Sequence, residues 1–202
     1  MKKEVLPMYI TGRYGLAVYL GEYFNAITNP SARAYGGFGD GTKTAEEMLL
    51  DSGRNVHGEL WGCASTCDIL INCEHDGFNQ IKLFDAFFNY WKYKPEKHII
   101  NISSRAAQPN ISKGYLYASQ KAALNHYTNN VVYNSDKACK VTTLNLGLMK
   151  HKTLPSISYE DVAETIKWIL YHKQEIPEIT LQHPANYQEI QNEKKLNKLN
   201  RE

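Results

Sequence analysis

The chain has no run approaching the ~18 consecutive apolar residues of a membrane-spanning helix, and its opening stretch MKKEVLPMYITGRYG lacks the apolar core of a secretory leader. A cytoplasmic protein with no membrane partner is expected. Charge of one sign is also missing: 23 basic and 21 acidic residues leave a net +2, so no field points toward nucleic acid or a lipid surface. The expected partner is a small molecule. Cysteine is scarce, with only Cys63, Cys67, Cys73 and Cys139, and no CxxC pair among them. That spacing argues against a zinc site, and a reducing compartment leaves such residues as small apolar core groups. No metal is expected. No internal repeat is found, so the architecture is not a repeat array.

What is present is enough apolar material for one core: 202 residues, 43% of them hydrophobic, fit a single domain. We place it at residues 1–185, with the polar stretch 186–202 as a tail. Short apolar runs alternate with longer amphipathic ones. Val5–Thr11, Asp68–Cys73, His98–Ser103, Lys140–Gly147 and Glu178–Gln182 read as strands, and a further strand is placed at Ala32–Tyr35 inside a Gly-rich stretch, 29–62. Helices are expected over Gly15–Ile27, over Phe78–Trp91, from Tyr117, and from Ser158, where Ser158 and Asp161 form a helix cap. Strands that are apolar throughout, each followed by a helix, predict a parallel sheet covered on both faces. The fold class is therefore α/β: a Rossmann-like, doubly wound, three-layer α/β/α sheet.

In such a sheet ligands bind beyond the carboxyl ends of the strands. The first strand ends in ITGRYGLA, where Gly12, Gly15 and the small Ala17 would let backbone N–H groups and a helix N-terminus approach a pyrophosphate; two glycines after a strand also make an ordinary turn. In YLYASQKAALNHY, Tyr117 and Lys121 stand four apart, so they share one helix face with Cβ atoms about 5–6 Å apart. An ammonium beside a phenol stabilises the phenolate and brings the pair toward general acid–base chemistry. The spacing is common by itself. NISSRAA closes another strand with Ser104, thirteen residues before Tyr117, so strand end and helix start can meet at one sheet edge.

In this order TGxxGLA, DILIN, NISS, Tyr-x-x-x-Lys and NLG resemble the short-chain dehydrogenase/reductase family, from Tyr9 to about Gln182. The resemblance implies an NAD(P)-dependent oxidoreductase that interconverts a carbonyl and an alcohol. Tyr117 would be the general acid and base, Lys121 would lower its pKa and hold the nicotinamide ribose, and Ser104 would hold the substrate oxygen. Asn79 would be the fourth catalytic residue, twenty-five positions before Ser104, with Asn89 a poorer fit. Gly12, Arg13, Gly15 and Leu16 would form the phosphate loop, Asn72 and Cys73 the start of the segment that reads NNAG in the family, and Gly147 with Leu148 the turn beside the nicotinamide. Arg13, or else Arg33, would favour NADP(H) over NAD(H). The family also implies a homodimer or homotetramer, and the aromatic face Phe84, Phe87, Phe88 and Trp91 suits either such an interface or a core.

Four departures qualify the resemblance. The loop TGRYGLA is one residue shorter than TGxxxGxG, and NCEH places Glu74 and His75 where the family has small residues. Residues 29–65 are compressed, without a recognisable acidic adenine contact, and MKHKTLPS leaves a short lid. A second reading is therefore a protein that keeps the fold, binds a dinucleotide or regulates, and reduces nothing. A third, a sugar-nucleotide epimerase or dehydratase, fits poorly with only about eighty residues after Lys121.

Overall fold

The computed structural model describes residues 7–12, 14–29, 57–108, 114–152 and 154–185. Strand β1 (Met8–Thr11) is buried at every position and alternates its side chains between two layers. Tyr9 faces one core, and Met8 and Ile10 face the other. Helix α1 (Leu16–Phe24) ends on Asn25 in the left-handed region (φ 52°), a conformation asparagine tolerates. That early stop is why the helix predicted to reach Ile27 is shorter: Ile27 instead opens β2 (Ile27–Asn29), parallel to β1 with Tyr9 opposite Ile27. The strand expected at 32–35 lies outside the described residues, as do Arg13, Arg33 and the tail 186–202.

The chain continues through α2 (His57–Thr66), β3 (Ile69–Asn72), α3 (Asn79–Trp91), β4 (His98–Ser104), a 3-10 turn (Arg105–Ala107), α4 (Tyr115–Asn134), β5 (Lys140–Leu146), α5 (Tyr159–Tyr171) and β6 (Glu178–Leu181). The six strands form one wholly parallel sheet in the order β2-β1-β3-β4-β5-β6. Side chains of α2, α3 and α4 join Tyr9, Leu70, Ile99 and Val141 in one core, and those of α1 and α5 join Met8, Ile10, Ile71, Ile100 and Leu144 in the other. This is the predicted three-layer arrangement. The aromatic face of α3 is inward: Phe84, Phe87, Phe88 and Trp91 are all buried in the chain's own core, and the Trp91 indole N–H donates to Ala64 O at 2.8 Å. A subunit interface must use other surface.

The capping box at α5 forms as expected. Ser158 Oγ accepts from Asp161 N at 3.0 Å, and Asp161 Oδ2 accepts from Ser158 N at 2.7 Å. Helix α4 is different, because its buried stripe of Lys121, Leu124, Thr128 and Val131 is half polar. Polar strand ends meet it. Asn101 donates to Thr128 Oγ1 at 3.1 Å, Asn125 donates to Asn145 Oδ1 at 2.8 Å, and Ser103 donates to Asn125. Each buried polar group so paired avoids the desolvation cost of an unmade hydrogen bond, and the pairing fixes the rotation of α4 on the sheet. Strand order reverses between β1 and β3, which opens a crevice beyond their carboxyl ends.

Candidate active site

Two glycines shape the β1 side of the crevice. Gly12 has φ +118° and Gly15 φ +57°, both in the region that side chains disfavour, and a Cβ on Gly12 would meet Ala17 Cβ at 2.8 Å. Helix α1 starts directly after Gly15 with no acidic residue in its first turn, so no carboxylate of its own opposes the positive end of its dipole. Leu16, by contrast, turns its side chain into the core. The hydroxyl of Tyr159, at the start of α5, lies against Gly15, 2.8 Å from where its Cβ would stand, and Lys150 Nζ sits 3.9 Å above the Tyr159 ring. Sequence reasoning missed this Tyr159–Lys150 wall, since neither residue belongs to a motif.

From the β3 side, the backbone N–H groups of Cys73 and Glu74 both donate to Thr11 Oγ1, at 2.9 and 3.1 Å, which ties the NCEH segment to the end of β1. Glu74 is thereby brought beside the loop, its Cβ 3.6 Å from a Cβ built on Gly12. Asn72 is fully buried; its Nδ2 donates to Asn101 Oδ1 and Gln80 O, both at 2.9 Å, and its Oδ1 has no partner among the described residues. A small cavity lined by Thr11, Asn72, Glu74, Asp76, Asn79, Gln80 and Leu83 adjoins it. Burial pushes the Cys73 thiol up to about 12, so Cys73 is no nucleophile at neutral pH.

Tyr117 and Lys121 come together as their spacing predicts, with Lys121 Nζ 5.8 Å from the Tyr117 ring centroid. Tyr117 is 38% exposed, whereas Lys121 is 2% exposed. Its Nζ donates to Gln80 Oε1 at 2.7 Å and to Ile102 O at 2.9 Å. Burial lowers the Lys121 pKa to about 8, because desolvation disfavours the ammonium. Edge-on to Tyr117 stands His75, with ring centroids 4.7 Å apart and planes at 81°. Burial and the Lys121 charge hold the His75 pKa below its usual value.

Ser104 ends β4 level with Leu146 of β5 and caps the 3-10 turn, accepting from Ala106 N at 3.1 Å. That turn packs on α4, which brings Ser104 to the helix that carries Tyr117. Gly147 donates to Leu181 O at 2.8 Å, and a Cβ there would meet Gln182 Cβ at 2.8 Å, so this glycine serves the close approach of β6. Leu148 O accepts from Ile157 N at 3.0 Å, closing the short segment before α5.

Asn79 does not reach this centre. Its side chain donates to Asp76 Oδ2 at 3.0 Å, because one step along a helix turns a side chain by about 100°. The neighbour on the correct face is Gln80, 3% exposed and bonded to Lys121. The signal that could have found it was the pairing requirement itself, since a buried lysine needs a buried polar acceptor.

No family model matches the chain, and no curated protein does. Solved structures do. A serine dehydrogenase from Escherichia coli superposes with a TM-score of 0.63 at 17% identity over 88% of this chain and 98% of that one. An alcohol dehydrogenase from the archaeon Thermococcus sibiricus, complexed with 5-hydroxy-NADP, gives 0.63 at 12% identity over 90% and 100%. A short chain dehydrogenase from Leptospira borgpetersenii with bound NAD+ gives 0.61 at 16% over 88% and 91%. Two glycines at positive φ and a helix start with no acidic residue in its first turn fit the phosphate-bearing part of such a dinucleotide, with the Tyr159 hydroxyl and Glu74 standing beside them. The chain has the fold of the short-chain dehydrogenases.

Proposed function

We propose that this chain is a divergent short-chain dehydrogenase/reductase that interconverts a carbonyl and an alcohol with a nicotinamide dinucleotide. The observation that carries the reading is Tyr117, exposed at the crevice, standing over a buried Lys121 on the same helix face. When bound, the reduced nicotinamide supplies the hydride to the carbonyl carbon. Tyr117 gives its phenolic proton to the carbonyl oxygen and regains one from solvent; in the other direction it takes the alcohol proton. Lys121 holds positive charge beside the phenol and offers its remaining N–H to the ligand. Ser104 donates to the substrate oxygen where negative charge develops. Gly12, Gly15 and the first turn of α1 hold the phosphates, and Asn72 and Cys73 line the same crevice. Arg13 in the loop supports NADP(H) over NAD(H).

A second reading, a protein that keeps the fold and binds a dinucleotide or regulates but transfers no hydride, is favoured by one observation. Glu74 stands beside Gly12 and the His75 ring meets Tyr117 edge to face, so two titratable side chains crowd the glycine loop and the phenol. Thermal stability with NADPH, NADH and neither, over a concentration series, tests nucleotide binding first. A ligand at about 100 times its Kd adds roughly 2.7 kcal/mol. A larger shift with NADPH than with NADH supports the proposal with its cofactor preference. No shift with either, reduced or oxidised, contradicts the proposal and leaves the second reading in its regulatory form.

A further inference from the structure

Gln80 and Lys121 form a closed ring of hydrogen bonds with one backbone carbonyl. Gln80 Oε1 accepts from Lys121 Nζ at 2.7 Å, Lys121 Nζ donates to Ile102 O at 2.9 Å, and Gln80 Nε2 donates to the same Ile102 O at 2.9 Å. The Nε2 group also donates to Asn72 O at 2.9 Å, so one carboxamide links the ends of β3 and β4 to the ammonium. Both side chains are almost fully buried. An ammonium has three donors, and among the described residues two are used, both in this ring. One N–H remains for a ligand, and the ring fixes where the nitrogen that carries it stands.

We infer that Gln80 is the positioning residue for Lys121, holding its ammonium in place and charged beneath Tyr117 through direct contact. The shape of the ring explains the residue type. Asparagine is one methylene shorter and cannot span from α3 to both strand ends. Glutamate keeps the length but has no N–H for Asn72 O or Ile102 O. An apolar residue of the same length leaves the ammonium buried with only one acceptor. The titratable groups that face Lys121 are Cys73 and His75, on the segment after β3, and Tyr117 one turn before it on α4. With burial already holding Lys121 down to about 8, loss of the Gln80 acceptor tips it toward the neutral amine near physiological pH.

The inference matters for activity only if Lys121 serves Tyr117 as proposed above, so it is tested without nucleotide or substrate. Protein labelled with [ε-13C]lysine is titrated by NMR, with the Lys121 resonance assigned by its loss in Lys121→Arg. In the native chain the Lys121 resonance is expected to titrate near pH 8. Gln80→Met lowers that midpoint by about one pH unit, and Gln80→Glu raises it by about one unit or more. Gln80→Glu keeps the side-chain shape and carries the test alone should the methionine variant not fold. A Lys121 midpoint unmoved by the substitutions overturns the inference and leaves Gln80 as a bridge between strands. The basic limb of the hydride-transfer pH profile then separates the two readings. A limb that moves with the resonance joins Lys121 to Tyr117, while a moved resonance with a fixed limb keeps Gln80's role and removes that of Lys121.

Discussion

The His75 and Tyr117 rings meet edge to face with centroids 4.7 Å apart, so the residue that follows Glu74 in NCEH guards the phenol expected to do the proton chemistry. Such a contact contributes about 0.5–1.5 kcal/mol, small enough for a ligand to displace. His75→Ala is therefore expected to raise nucleotide affinity severalfold without loss of stability beyond about 1.5 kcal/mol. Fluorescence titration with NADPH measures it. A fall in affinity would instead make His75 part of the binding surface.

The acidic neighbour of the loop makes a second prediction. Glu74 stands with its Cβ 3.6 Å from a Cβ built on Gly12, close enough for its negative charge to disfavour a phosphate bound at the start of α1. Glu74→Gln should strengthen NADPH binding severalfold at low ionic strength, and the gain should shrink as salt screens the charge. Isothermal titration at low and high salt checks both parts. An unchanged Kd at every salt concentration places the phosphates elsewhere.

Gly12 permits a third test, in which strain and crowding can be separated. Gly12→Ala combines a positive φ with a 2.8 Å approach to Ala17 Cβ, and should cost about 1–3 kcal/mol and remove the nucleotide-induced rise in melting temperature. Ala17→Gly removes the clash and leaves the strain, so Gly12→Ala should cost less in an Ala17→Gly background, where the helix glycine's own cost of about 1 kcal/mol cancels. Urea denaturation of the single and double variants measures the split. No cost of Gly12→Ala in that background would show that φ contributes nothing.

The meeting of Tyr117 with Lys121 was legible in the sequence because it follows spacing. Tyr117 and Lys121 share a helix face by periodicity alone, and Ser158 with Asp161 announces its own cap. What spacing could not decide was which of two adjacent amides faces inward. Asn79 matched the residue type of the family and Gln80 matched the geometry, and only the direction of α3 relative to Lys121 separates them. Helix α4 hid its buried face for a related reason, since half of that face is polar and is matched by Asn101, Ser103 and Asn145. The end of α1 was misplaced because Asn25, which stops the helix, can also continue one, and β2 is only three residues long. The inward aromatic face of α3 shows why an apolar stripe alone does not identify an interface.

Away from the crevice, His98 sets an acid limit on stability. It is 7% exposed, its Nε2 lies 2.9 Å from Thr142 Oγ1, and burial with the nearby Lys140 and Lys137 charges lowers its pKa to about 4. The unfolded chain binds this proton near pH ~6.5. Between those values the unfolded state holds a proton that the folded state refuses, so stability is full above about 6.5 and falls as pH drops toward 4. The loss amounts to roughly 2–4 kcal/mol. His98→Gln should flatten that slope in urea denaturation at pH 7 and pH 5. An equal slope in the variant would assign the acid loss to other groups.

The central claim concerns a proton given by Tyr117 to an oxygen whose carbon receives hydride. The direct measurement is transfer of deuterium from 4-deuterated NADPH, both C4 epimers tested, to a panel of aldehydes and ketones by the native chain and by Tyr117→Phe. Mass spectrometry of the alcohol products reads the label. The account predicts a labelled alcohol from the native chain, and a rate at least about a hundredfold lower in Tyr117→Phe with nucleotide affinity nearly unchanged. Equal transfer by the two proteins, or none by the native chain from a bound nucleotide, would contradict it.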